Sequence, residues 1–138
     1  MTFNWTNTGL WILRVLAALI MLQTLYFKFT AADESVYIFS KLGMEPWGRI
    51  GTGVLELIAS ILILYPKTTS LGALLAIGLM GGAIWVHLTR LGISVKNDGG
   101  QLFAYALIVF VSSIILVFVY RNDFGAYLKK FTSIAAIL

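Results

Sequence analysis

The chain has 138 residues, of which 59% are hydrophobic and only 12% are charged, and its formal net charge is +4. Soluble domains have about 25% charged residues, and the hydrophobic residues here fall in long uninterrupted stretches, so the composition predicts an integral membrane protein with a single transmembrane domain over residues 1–138. Without cysteine and with one histidine, the chain excludes disulfide exchange, iron–sulfur clusters, thiolate metal sites and bis-histidine haem within one chain.

Four segments are long enough to cross the bilayer, because a helix needs about 20 residues to span about 30 Å of hydrocarbon. They are predicted at 9–29, 46–65, 71–89 and 102–120. The residues before the first span, Met1–Thr8, carry no positively charged side chain, so no cleavable signal peptide is predicted and the first span is expected to remain as a helix.

The boundaries of the second and fourth spans have local signals. Pro46 suits the first turn of a helix, where its missing N–H costs nothing, and Pro66 ends that helix. The run Asn97–Gly100 predicts a turn with positive φ angles before the fourth span.

Two shorter amphipathic segments are predicted to lie at the membrane surface. Ser35–Leu42 has apolar residues at helical spacing, which predicts a short, half-buried helix. In the C-terminal tail, 124–138, apolar residues recur every three or four positions while Lys129 and Lys130 fall on the other side. A frayed tail is the alternative interpretation of this segment.

The predicted architecture is all-α: an integral membrane four-helix up-down bundle with a short interfacial helix in the first loop and an amphipathic C-terminal segment. The third span contains Gly78 and Gly82 in a small-xxx-small pattern, which predicts close packing within the bundle or, alternatively, a homo-oligomer contact. Basic residues in the loops and at the span ends divide four against four between the two sides: Lys67, Arg121, Lys129 and Lys130 against Lys41, Arg49, Arg90 and Lys96. Arg14 tips this balance toward cytoplasmic termini.

Ionisable side chains inside the spans are the strongest functional signal, because each costs about 2.5 to 3.5 kcal/mol in hydrocarbon on the mildest scale. They are Arg14 and Lys28 in the first span, Glu56 in the second and His87 in the third. Glu56 lies near mid-bilayer and must be protonated or paired with a cation. From the helical rise, Arg14 lies about 6 Å from its level and Lys28 about 12 Å, which predicts an Arg14–Glu56 ion pair.

Gln23, Lys28 and His87 lie at similar depth and, with Glu45 and Asp98 from the loops, predict a polar vestibule on the side opposite the termini. The candidate ligand-binding residues are therefore Arg14, Gln23, Lys28, Glu56 and His87. The alternative is that the ion pair specifies the bundle and binds nothing. Four aromatic residues either stack on a flat ligand ring or belong to the interfacial belt: Tyr26, Trp47, Trp85 and Tyr105.

The spacing of these residues resembles the DoxX-like membrane proteins. The resemblance covers about residues 10 to 120 and rests on Arg14, on Lys28 within Tyr26-Phe-Lys-Phe29, on Phe39-Ser-Lys-Leu-Gly43, on Glu56 flanked by small residues, and on Pro66, Ala83 and His87. It implies a four-helix membrane bundle. It also implies quinone-linked oxidation, redox-stress complexes or assembly roles.

Three functions follow as hypotheses. The first is a small membrane subunit of a redox-linked complex that binds a quinone or lipid head group, with no covalently bound cofactor. The second is a non-catalytic, chaperone-like assembly or scaffold protein, and the third is a small transporter or proton relay using Glu56. The expected partners are the lipid bilayer and membrane proteins or a second copy, not nucleic acid. The expected location is the bacterial inner membrane.

Overall fold

The computed structural model describes residues 4–138, and this part of the chain is helical without strands. The helices are α1 (Trp5–Phe29), α2 (Asp33–Lys41), α3 (Trp47–Leu64), α4 (Thr69–Val86), α5 (Gln101–Val119) and α6 (Asp123–Ile137). Between Val86 and Gly92, α4 continues as a π-helical turn, His87–Leu91. Residues 1–3 lie outside the described residues. They are the start of the N-terminal segment that was predicted to be retained.

Four helices of the described chain are long and apolar enough to cross a membrane: α1, α3, α4 with its π-helical turn, and α5. The predicted all-α bundle is confirmed. Helix α1 begins at Trp5, before the predicted start, because the Asn4 side chain caps it by accepting a hydrogen bond from the Asn7 N–H at 3.1 Å.

The spanning helices form a closed ring in which α1 packs against α3 and α5, and α4 packs against the same two helices. We call the end of the bundle where α1 begins and α5 ends the terminal face, and the other end, which holds α2 and residues 92–100, the distal face. Small side chains such as Ala17, Ala59, Ala73 and Ala76 are fully buried between the helices together with Ile63, Val109 and Leu116. Because most of these residues lie at mid-depth or nearer the terminal face, that half of the bundle is closely packed.

The close approach of α4 to α3 occurs at Gly72, where a Cβ atom would lie 2.6 Å from the Ile63 backbone nitrogen. The prediction of close packing at Gly78 and Gly82 is wrong, since a Cβ atom at either position meets nothing within 4 Å. The small-xxx-small spacing is present, but in residues 4–138 both glycines are exposed and no neighbouring helix packs on them. The homo-oligomer alternative stays a prediction.

Helices α2 and α6 occupy opposite faces. Helix α2 packs against α1 and α3 through the buried Ser35 and Phe39. Helix α6 has no buried residue and is attached to the bundle through Tyr127, whose hydroxyl donates to the Lys67 carbonyl oxygen. The apolar side chains of α6, including Leu128 and Phe131, are exposed, and its location on the membrane surface stays a prediction.

Candidate ligand-binding cavity

The distal half of the bundle contains a partly open cavity of about 350 Å³, lined by α1, α3, α4 and α5, with residues of α2 at its distal end. Most of its lining is apolar. The polar exceptions are Thr24, Lys28, Thr52, Glu56, His87 and Tyr105. The volume lies within the range of about 300 to 1,000 Å³ that is typical of small-molecule sites.

An ion pair forms part of the cavity wall. The Lys28 Nζ atom lies 3.0 Å from Glu56 Oε2 and donates to it, and only 5% of the Glu56 surface is exposed. The Thr24 hydroxyl lies 3.2 Å from the same oxygen and 3.3 Å from Lys28 Nζ, so one threonine contacts both charged groups. Thr24 was not among the candidate residues predicted from the sequence, although its position four residues before Lys28 places the two on one helix face.

The predicted Arg14–Glu56 ion pair is wrong, because Lys28 is the partner of Glu56. In every helix the side chains lean toward the N-terminus. Since α1 and α3 are antiparallel, Lys28 and Glu56 lean toward each other, whereas Arg14 and Glu56 lean apart. The helical rise gives only the depth of each Cα atom, and it does not account for the direction in which these side chains lean.

Arg14 instead binds the end of α3. Its Nε donates to the Ile63 carbonyl oxygen at 2.9 Å and its Nη2 to the Leu64 carbonyl oxygen at 2.8 Å, while the guanidinium lies 3.7 Å from the centre of the Trp11 ring. These carbonyls have no partner within the helix, and a cation is favourable at a helix C-terminus. Arg14 is therefore a buried helix cap outside the cavity.

Arg49 is the corresponding helix cap at the distal face. It donates to the Lys28 carbonyl oxygen in the last turn of α1 and is held by Glu45, whose Oε1 lies 2.8 Å from its Nη2. Helices α1 and α3 thus cap each other's C-termini reciprocally. From the sequence, Arg49 counts only among the basic residues of the distal side, because its position along the helix does not reveal the carbonyl it reaches.

His87 is buried at the start of the π-helical turn and lines the cavity. Its Nδ1 lies 2.8 Å from the Gly92 carbonyl oxygen, so Nδ1 is assigned as the donor of this hydrogen bond and Nε2 is left for other partners. The edge of the ring contacts Phe103. Single π-helical turns inside α-helices are frequent at functional sites.

The predicted polar vestibule is only partly assembled. A second cavity of about 220 Å³ shares Thr24, Lys28 and Tyr105 with the first and adds Gln23 and Glu34. The two loop carboxylates have other partners: Glu45 pairs with Arg49, and Asp98 accepts backbone hydrogen bonds. Of these three shared polar residues, Lys28 is the charged one.

Tyr105 is the aromatic candidate that lines the cavity. Tyr26, Trp47 and Trp85 are 65% or more exposed on the outside of the bundle, as belt residues would be. The Tyr105 hydroxyl accepts a hydrogen bond from Gln101 Nε2 at 2.7 Å, which leaves its own proton available to a ligand.

The cavity therefore offers both donors and acceptors to one occupant. Lys28 uses two of its three N–H groups, and Tyr105 has a free O–H. In residues 4–138, no group donates to Glu56 Oε1 or to His87 Nε2. Those residues contain no cluster of three or more metal-ligating side chains. The arrangement suits a neutral or weakly polar organic head group.

Asp98 anchors the loop before α5. Its carboxylate accepts hydrogen bonds from the backbone N–H groups of Val95, Gly100 and Leu102 at 3.0, 2.8 and 3.2 Å. Burial raises the pKa of Asp98, but these three hydrogen bonds and the nearby His87 outweigh it and lower the pKa below its ordinary value of 3.8.

We expect Asp98→Asn to lower the stability of the bundle by about 1 kcal/mol near neutral pH, because it weakens charge-assisted hydrogen bonds to orphan N–H groups. Because the pKa of Asp98 is lower in the folded protein than in the unfolded chain, this stabilisation is fully present above pH 3.8. It is lost as the pH falls through the pKa of Asp98 in the folded protein. Thermal unfolding of both proteins across that range measures it. Asp33→Asn, an exposed change of equal charge, is the control. A pH-independent difference would contradict the prediction.

Fold and cavity together define the chain as a small four-span helical membrane protein with a buried ion pair in its interior. The sequence profile of the DoxX-like family matches residues 12–116, which is most of the 138-residue chain. The chain belongs to the DoxX-like family, so the resemblance stated from the sequence is confirmed. No curated protein and no solved structure shows a significant match to it.

Proposed function

We propose that the protein binds a quinone or a closely related lipophilic molecule in the distal cavity, as a small subunit of a redox-linked membrane complex. The observation that carries the proposal is the combination of a buried, apolar cavity of about 350 Å³ with the Lys28–Glu56 pair on its wall. A molecule with a polar ring and an apolar body matches this distribution of polar and apolar surface.

Both redox forms of a quinone would find partners at this site. The carbonyl oxygens of the oxidised ring accept hydrogen bonds, which the third Lys28 N–H and the Tyr105 hydroxyl can donate. The hydroxyl groups of the reduced ring donate, and Glu56 Oε1 and His87 Nε2 can accept. The Lys28–Glu56 pair keeps both charged groups in fixed positions without a bound ligand.

The proposed redox complex supplies the electrons. The sequence has no cysteine and a single histidine, so a thiolate-held cluster or a bis-histidine haem does not form within one chain. Electron transfer to a bound quinone would therefore come from a partner protein in the same membrane. We propose that this complex lies in a bacterial inner membrane with the terminal face toward the cytoplasm. The basic residues near the two faces are equal in number, and Arg14, which lies nearer the terminal face, favours this orientation.

Titration of the purified protein in nanodiscs with a tail-free benzoquinone tests the proposal, with binding followed by calorimetry. We expect saturable binding of the quinone and of the corresponding hydroquinone. Glu56→Gln should weaken binding of the hydroquinone about tenfold or more, because its hydroxyl donates to the Glu56 carboxylate and a hydrogen bond to a charged group contributes about 1.5 to 3 kcal/mol. Asp33→Asn, outside the cavity, serves as the matched control and should bind like the wild type. A photoreactive quinone should label the cavity residue Tyr105.

Two results would overturn the proposal. One is the absence of saturable quinone binding by a correctly folded wild-type protein. The other is equal affinity of the wild type and Glu56→Gln for the hydroquinone, which would place the ring elsewhere. In either case the assembly function predicted from the sequence becomes the leading hypothesis, and recovery of a defined membrane partner in mild detergent would test it.

A further inference from the structure

The α4 side of the cavity has an opening that the sequence analysis did not anticipate. Gly78 and Gly82 both line the cavity and are both exposed. A Cβ atom at either glycine would meet nothing within 4 Å. Since both positions lie well inside the spanning helix Thr69–Leu91, the outside at this depth is the hydrocarbon of the bilayer.

These glycines lack the usual structural reason for their presence. Glycine in a helix interior costs about 0.5 to 1 kcal/mol relative to alanine, and in membrane helices it is generally retained where backbones approach closely. Such an approach occurs in this helix at Gly72, where a Cβ atom would lie 2.6 Å from Ile63 N. At Gly78 and Gly82 the missing side chains instead leave space between the cavity and the lipid.

The cavity wall is also divided by polarity. Lys28 and Glu56 place the charged groups on α1 and α3, and the Glu56 side chain is 7% exposed with Oε1 free of any partner in residues 4–138. The α4 wall near the opening is apolar and includes Leu79 and Ala83. An occupant with its polar head at Glu56 therefore has its apolar end directed along α4.

We infer that the cavity opens sideways into the bilayer at Gly78 and Gly82, and that its occupant carries a hydrocarbon tail that leaves through this opening. The inference rests on the proposed function and narrows its ligand to a head group with a long tail, such as an isoprenoid quinone. A volume of about 350 Å³ is near the lower limit for drug-sized ligands, so a ring and the first part of a tail fill it and the rest lies among the lipids.

The test compares two ligands and three variants in nanodiscs: a tail-free benzoquinone and the same ring with a long isoprenoid tail, against Gly78→Leu, Gly82→Leu and Gly51→Leu. Gly51 is the matched control, because it is an exposed helical glycine with nothing within 4 Å and does not line the cavity. Circular dichroism and size-exclusion chromatography verify the folding and oligomeric state of each variant.

We expect Gly78→Leu or Gly82→Leu to weaken binding of the tailed quinone about tenfold. Loss of contact with two methylene groups, at about 0.8 kcal/mol each, corresponds to this factor. Binding of the tail-free quinone should change less than twofold, and Gly51→Leu should affect neither ligand. A co-purified phospholipid lost from the same two variants would also support the lateral opening, and would assign the head group to a lipid.

Three outcomes would overturn the inference while leaving quinone binding itself intact. They are unchanged affinity for the tailed quinone in both α4 variants, equal weakening of both ligands, and dissociation of a wild-type dimer by these variants without any effect on binding. The last result would show that a second copy packs on the two glycines. If the wild type binds neither quinone and retains no lipid, the proposed function fails together with the inference.

Discussion

Glu56→Ala should destabilise the bundle by about 3 to 5 kcal/mol, which is the usual cost of removing one partner of a buried ion pair. The change leaves the Lys28 ammonium group inside the bundle with only the Thr24 hydroxyl as a described side-chain partner. Lys28 lies in the last turn of α1 and its side chain is 15% exposed. It can therefore reach partly toward the distal face, which favours the lower end of the range.

The measurement is unfolding by sodium dodecyl sulfate in mixed micelles, followed by circular dichroism. The double variant Lys28→Met with Glu56→Leu should recover most of the loss, because replacing both members of a buried pair by apolar residues is often neutral. Single variants and their combination form a thermodynamic cycle that isolates the pair. Equal losses in Glu56→Ala and in the double variant would contradict the pairing seen in the structure.

The second large effect is expected at Arg14, where substitution by methionine should destabilise the bundle by about 2 to 4 kcal/mol. The change removes two hydrogen bonds from a charged donor, and each of them contributes about 1.5 to 3 kcal/mol. Part of this loss is offset because the methionine variant no longer buries a charge. The Ile63 carbonyl keeps the Thr69 hydroxyl at 3.0 Å, whereas the Leu64 carbonyl loses its side-chain donor. An unsatisfied carbonyl is costly where water is scarce.

Arg121→Met is the matched control for Arg14→Met. Arg121 is exposed and donates to the Phe118 carbonyl oxygen of its own helix end at 2.7 Å, so its loss should change the unfolding free energy by less than about 0.5 kcal/mol. Quinone affinity offers a second readout, since Arg14 lies outside the cavity lining. Stability equal to the wild type, or a loss of affinity without a loss of stability, would contradict a capping role.

The sequence was sufficient to predict the helices and the environment of this chain. Length and hydropathy locate spanning helices because the bilayer imposes about 20 apolar residues on each, and Asn97–Gly100 forms the predicted turn with positive φ at Asn97, Gly99 and Gly100. These features depend on composition over many residues or on local backbone preferences. Neither requires knowledge of which helices are in contact.

The site was only partly predictable, because side-chain direction and helix divergence are tertiary properties. Lys28, Glu56 and His87 were identified as polar candidates and do line one cavity, whereas Arg14 was assigned to the wrong partner. The rise along the helix gives the depth of a Cα atom but not the lean of its side chain. Similarly, Gly78 and Gly82 have the spacing of a packing motif, and only the structure shows that nothing in residues 4–138 packs on them.

The reciprocal caps formed by Arg14 and Arg49 have a consequence for motion within the bundle. Arg14 joins α1 to the C-terminus of α3 at the terminal face, and Arg49 joins α3 to the C-terminus of α1 at the distal face. The separation of these two helices is therefore fixed at both ends of the bundle. An occupant too wide for the resting interior would enter by displacing the α4–α5 hairpin, whose π-helical turn provides a local irregularity near the distal end. We therefore expect the α1–α3 pair to keep its spacing and any widening of the interior to occur at the α4–α5 pair.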